Sequence, residues 1–314
     1  MESFELGGKQ VSRLGMGGCP LGGHGWGAVD DRQLVAAVRR ALEQGVTFFD
    51  TADVYGRGRS EEILADALGQ DRSKVVIASK GGVRFTAEGK TFKDIRPAYL
   101  REAVEGSLRR LRLESLPLYY IHWPDGQTPV EEAVAELDRM RVEGKIEAIG
   151  VSNFTTDELR RAQQVAAISA VQVQYSLAER TQAEALLPAA RQLQIPLITW
   201  GSLAQGMLTG KFTAQSKFGA DDRRSRYENF QGDKLRSNLE LVEVLHSIAG
   251  RLDRSPAQIA MRWLLDTAGV GCVLFGAKRP EQVDENTTSA GDWSLPEADY
   301  LRLRDFAQER KLVA

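Results

Sequence analysis

Cysteine and histidine are scarce in this chain, with two cysteines and three histidines among 314 residues. Cys19 and Cys272 stand far apart in sequence, which fits neither a CxxC zinc ribbon nor a disulfide framework. His24, His122 and His246 form no HExxH pair. With no DxD or EF-hand loop visible either, no metal site is expected. Long apolar runs are missing too, and none reaches the ~18 residues of a membrane span. MESFELGGKQ lacks a basic-then-apolar signal region, so a cytoplasmic location is expected. Neither charge is in excess: 41 basic residues against 43 acidic ones give a net charge of −2. Near-neutrality argues against a nucleic-acid partner held by bulk electrostatics, and no charged tail is present.

What is present is ordinary for a globular chain: 42% apolar and 27% charged residues. At ~150 residues per domain the length suggests two domains. The pattern argues instead for one domain over 1–314. Short apolar runs occur at 14–18, 46–49, 75–78, 118–121, 148–151, 170–173, 196–199 and 272–275. Being apolar on both faces, they read as buried parallel strands. Helical spacing fills the gaps, as at 31–44, where Leu34, Val35, Val38, Ala41 and Leu42 share a face and Gly45 closes the end. Eight strands alternating with helices predict a closed (β/α)8 TIM barrel. An N-terminal hairpin across Gly7-Gly8 and extra helices near 234–249 and 296–306 complete the expectation. Segments 19–29, 82–95, 123–128 and 203–233 have no readable pattern, and substrate specificity is expected there.

Polar residues follow the apolar runs. Asp50, Lys80, His122, Ser152-Asn153, Gln172 and Trp200 each stand at or near a strand's C-terminal end. A barrel gathers those ends at one mouth, where its chemistry sits. Tyr55 follows Asp50 by five residues. An acid, an ammonium, an imidazole and a phenol at one mouth suggest proton chemistry without a metal. A neighbouring ammonium is expected to draw the phenol below its usual pKa near ~10. Singly, each residue has a plainer reading: Lys80 as a solvated lysine, His122 as a satisfied core histidine, Trp200 as core. The set is what points to a site. Gly206 to Lys211 is one residue short of GxxxxGK and continues with Phe212, so ATP binding is rejected. No GxGxxG fingerprint exists, so a Rossmann-type dinucleotide site is not expected.

These residues resemble the aldo-keto reductase superfamily over nearly the whole chain. Phe49-Asp50-Thr-Ala-Asp-Val-Tyr55-Gly56, Ile121-His122-Trp123-Pro124 and Gly150-Val-Ser-Asn153-Phe154 look like its signatures. The 200–211 and 276–286 segments are similar to its cofactor segments, and Gly276-Ala-Lys-Arg279 looks most like a bacterial branch related to sugar- and inositol-associated reductases. The resemblance implies an oxidoreductase using NADP(H), with NAD(H) as the alternative, to reduce an aldehyde or ketone, including sugar or polyol-type compounds. Tyr55 would be the general acid and base, tuned by Lys80 and Asp50, with His122 orienting the carbonyl. Ser152, Asn153 and Gln172 would hold the carboxamide and Trp200 would stack on the nicotinamide. Gly201, Leu203 and Gly206 would follow the pyrophosphate. Gly276, Lys278, Gln282, Glu285 and Asn286 would hold the adenosine end, with Lys278 or Arg279 meeting a 2′-phosphate. Trp26 and Trp123 are expected to line the substrate pocket, though packing would place them equally well. The chain departs from the pattern at Phe275, where many relatives have Pro, and at Gly276-Ala277, where the mammalian-type branch has Lys-Ser.

Two other functions compete: a nicotinamide-binding, redox-sensing regulatory subunit with negligible turnover, and an aldolase using Lys80 as a Schiff base. Oligomeric state is not readable.

Overall fold

The computed structural model describes residues 1–309 except 24, 26, 28, 220 and 221. Strands β1 (Ser3–Leu6) and β2 (Lys9–Ser12) form the expected hairpin, with Leu6 opposite Lys9 across Gly7-Gly8. Eight parallel strands then close a barrel: β3 (Leu14–Gly17), β4 (Phe48–Asp50), β5 (Val76–Gly81), β8 (Leu118–Ile121), β9 (Ile149–Ser152), β10 (Ile168–Gln174), β11 (Leu197–Trp200) and β12 (Val270–Phe275). Between β5 and β8 lies a separate hairpin, β6 (Val83–Phe85) with β7 (Thr91–Lys93). The sequence reading leaves 82–95 as loop. The hairpin escapes it because all six strand residues are half-buried or exposed, so no apolar periodicity marks them.

Helices α1 (Asp31–Glu43), α2 (Arg59–Leu68), α3 (Pro97–Leu111), α4 (Val130–Val142), α5 (Thr156–Val165), α6 (Thr181–Gln192), α7 (Gly232–Leu252), α8 (Pro256–Leu265), α9 (Pro280–Thr287) and α10 (Glu297–Glu309) complete the described helices. Their starts are chemically marked. Asp30 caps α1 by accepting from Arg32 N, and Thr155 and Ser255 make capping boxes with Glu158 and Gln258. None of the described helices is long and apolar enough to cross a membrane. Segment 203–233 is less open than expected. It carries short 3-10 turns at Ala204–Thr209, Arg223–Arg226 and Glu228–Phe230, pinned by edge-to-face contacts among Phe212, Phe218 and Phe230 at 4.9 to 5.3 Å.

Two apolar cores result. One lies between barrel and helices. The other fills the barrel interior with Phe48, Ala78, Tyr120, Ala170, Ile198, Cys272 and Leu274 above the hairpin's Leu6 and Val11. Successive strand side chains alternate sides. The next inward positions after Phe48, Ala78, Tyr120, Ala170 and Ile198 are therefore Asp50, Lys80, His122, Gln172 and Trp200. The layer above an apolar plug is thus polar, and the barrel's period of two places the polar residues there.

Candidate active site

Asp50 ends β4 and Lys80 lies inside β5, both almost without solvent exposure. Lys80 Nζ donates to Asp50 Oδ1 at 2.5 Å and to the Thr51 carbonyl at 2.7 Å. Gln172 Nε2 donates to Asp50 Oδ2 at 2.8 Å. Two strands thus converge on one carboxylate, and Gln172 uses one of its two amide N–H groups there. A buried ammonium needs such pairing, since burying it alone is costly.

Tyr55 sits on the turn between β4 and α2. The turn is held by Thr51 Oγ1 against Ser60 Oγ at 2.7 Å and by Ser60 Oγ donating to the Gly18 carbonyl at 2.8 Å. Lys80 Nζ lies 5.3 Å from the Tyr55 ring centre. Here the structure corrects the sequence reading. Burial pushes the Tyr55 phenol well above its ordinary value, and Cys19 and Asp50 add to it, opposed by Arg223. Lys80 is not among the groups that offset the burial, and its ammonium is paired with Asp50.

His122 follows β8 and its ring stands edge-on to Tyr55, centroids 5.8 Å apart. Its Nδ1 is buried without a hydrogen-bond partner. Burial, then the Lys80 charge, hold its pKa well below the usual imidazole value, so the ring is neutral. Asn153, just past β9 at φ 60°, donates from Nδ2 to the His122 carbonyl and to Ser152 Oγ, each at 2.9 Å. Its Oδ1 accepts from Trp200 Nε1 at 3.1 Å. Having accepted from Asn153, the Ser152 hydroxyl keeps its own proton to donate. Trp200 stands edge-on to Trp123 at 6.4 Å.

These groups line one channel of about 1000 Å³. Every expected cofactor residue lines it: Ser152, Asn153, Gln172, Trp200, Gly201, Leu203, Gly206, Gly276, Lys278, Gln282, Glu285 and Asn286. So do Asp50, Tyr55, His122, Trp123 and Arg279, while Lys80 lies behind Asp50. Trp26 falls outside the described residues. At the 276–286 end, Gln282 Oε1 accepts from Lys278 N at 2.7 Å and so shapes the start of α9.

The sequence reading missed Arg223, Arg224 and Tyr227, which also line the channel, and gave Lys211 no role beyond its place in the 200–211 segment. Lys211 is held below its usual value by burial and by repulsion from Arg224 and Lys278; Lys278 is lowered by burial and then by Arg224. Crowded cations of this kind favour an anion between them. Two signals were available: Lys211 closing the rejected phosphate-loop pattern, and three arginines within Arg223–Arg226.

The family description "Aldo/keto reductase family" matches residues 13–308. Aldo-keto reductase YhdN of Bacillus subtilis is 36% identical over 295 residues, covering 93% of this chain and 88% of that protein. The NADH-specific methylglyoxal reductase of Escherichia coli is 31% identical over 98% of this chain and 99% of its own. The structure of glycerol dehydrogenase AKR11B4 from Gluconobacter oxydans superposes with a TM-score of 0.90 at 36% identity, covering 98% of this chain and 95% of that one. The chain therefore belongs to the aldo/keto reductase family of oxidoreductases.

Proposed function

We propose that this protein reduces a small aldehyde or ketone to an alcohol with NADP(H), Tyr55 being the proton donor. The observation that carries this reading is the channel itself. A buried phenol and a neutral imidazole stand at one end, and Lys211, Arg224, Lys278 and Arg279 line the other. The residues fit a dinucleotide. The crowded cations suit phosphate groups, the Ser152 hydroxyl and the remaining acceptor site on Asn153 Oδ1 suit a carboxamide, and Trp200 suits a flat ring.

When bound, the nicotinamide supplies the hydride. The protein's part is proton delivery and orientation. The Tyr55 phenol stays protonated at neutral pH, and a phenol so reluctant to ionise transfers its proton to an oxygen already gaining negative charge. The neutral His122 ring offers that oxygen one N–H donor. The Lys80–Asp50–Gln172 unit fixes the channel floor below Tyr55. Trp123, packed against Trp200, walls the substrate side. A polyol-related carbonyl compound is the substrate class favoured by the name of the glycerol dehydrogenase relative.

Fluorescence titration with NADPH and NADH, followed by a panel of small carbonyl compounds, tests the proposal. Saturable cofactor binding with turnover supports it; cofactor binding without turnover on any carbonyl contradicts it.

A further inference from the structure

A second cavity, of about 310 Å³, lies outside the channel. It is an open pocket bounded by the turn after β4, strand β6 and helix α3, with Glu102 on its rim. Four arginines line it. Two are neutralised: Arg84 Nη1 donates to Asp94 at 3.1 Å, and Arg110 Nε donates to Glu61 at 2.5 Å. The other two, Arg57 and Arg109, have no ion-pair partner within hydrogen-bonding reach among the described residues. Arg57 sits over the Phe85 ring with its guanidinium carbon 4.2 Å from the ring centre. Asp53 lines the same pocket. Its Oδ2 accepts from Tyr99 Oη at 2.9 Å, but Oδ1 is buried with no hydrogen-bond partner. A buried oxygen in that state costs stability until something donates to it.

The geometry points to a second ligand site here, for a compact oxyanion that also carries a hydroxyl: the anion on Arg57 and Arg109, the hydroxyl donating to Asp53. Guanidinium groups hold oxyanions by paired N–H donors, and ~300 Å³ is the lower end of ligand-site volumes. Burial and the nearby Glu61 carboxylate raise Asp53 to about 7, against the lowering influence of Tyr99 and Arg110. An O–H donor is therefore the complement it lacks whenever it is ionised. Phosphate monoesters and 2-hydroxy carboxylates both have this chemistry. The site uses no residue assigned above to cofactor or carbonyl, but Asp53 is two residues from Tyr55, so occupancy would be felt at the proton donor.

The test is calorimetric titration of the full-length protein with inorganic phosphate, with lactate, and with sulfate, which has the charge but no proton to give at alkaline pH. Phosphate or lactate should bind saturably, and the tighter of the two names the source. Sulfate should bind more weakly. Arg57→Ala and Arg109→Ala should each weaken binding at least about tenfold, with the unfolding midpoint unchanged. Lys278→Ala should leave it intact. Loss of binding in Lys278→Ala with retention in the arginine variants would place the anion in the channel and overturn the proposal. So would the absence of saturable binding in the parent protein. Equal affinity for sulfate would overturn the role given to Asp53.

Discussion

The backbones of Gly22 and Gly56 touch. A Cβ on Gly56 would lie 2.3 Å from the Gly22 carbonyl oxygen, and Gly56 itself has φ of +63°. The turn carrying Tyr55 is thereby docked on the 3-10 turn Cys19–Gly22, two residues of which line the channel. Gly56→Ala meets both a rigid clash and an unfavourable dihedral, costing about 1–3 kcal/mol. Its unfolding midpoint and kcat should both fall while cofactor affinity changes little. Gly45→Ala, also at positive φ (+83°) but with nothing within 4 Å, is the control and should lose stability only. Thermal unfolding and steady-state kinetics on the pair separate the two effects.

The Lys80–Asp50 contact is a buried ion pair with no solvent to replace a lost partner. Asp50→Asn or Lys80→Met alone leaves one charge unpaired in the core and should cost about 3–5 kcal/mol. The double variant should cost less than the sum of the two. Denaturant unfolding read as a double-mutant cycle gives the coupling directly.

Asp53 predicts a pH dependence of stability. Its folded value of about 7 lies above its ordinary value, so its contribution is greatest at acid pH and is lost as pH rises through 7. Asp53→Asn cannot titrate. The midpoint of the variant minus that of the parent should increase between about pH 5 and about pH 8. Thermal unfolding at the two pH values checks the sign.

Cofactor choice is tested at the basic end of the channel. Lys211→Ala, Lys278→Ala and Arg224→Ala should each raise the KM for NADPH by about tenfold or more, the loss of one charge-assisted hydrogen bond, and the KM for NADH less. Equal effects on both cofactors would place these cations on the pyrophosphate instead.

Much of the fold is legible in the sequence because barrel strands are apolar on both faces and end at polar residues. Asp50, Lys80, His122, Gln172 and Trp200 stand out because each takes the next inward position after a buried apolar residue. Three things are not legible. The 83–93 hairpin is surface-lying, so nothing apolar marks it. Lys211 and Arg224 come from a segment shaped by tertiary contacts among Phe212, Phe218 and Phe230, which local pattern does not report. The direction of the Tyr55 shift depends on how deeply the phenol is buried. Burial sets it first, and burial follows from how the turn after β4 packs, not from the presence of a lysine.

The pH dependence of the two reaction directions follows from Tyr55. The phenol is the required form for reduction and persists into alkaline pH, so kcat for carbonyl reduction should show no break near neutrality from Tyr55 or from the already neutral His122. Alcohol oxidation needs the phenolate and should rise with pH throughout the alkaline range. Rate profiles in both directions check this.

The most direct measurement is single-turnover reduction by Tyr55→Phe with cofactor bound. Removing the proton donor while keeping the ring should lower the rate by about 10²–10⁴-fold and leave the cofactor dissociation constant unchanged. Reduction at an undiminished rate would mean that another group delivers the proton.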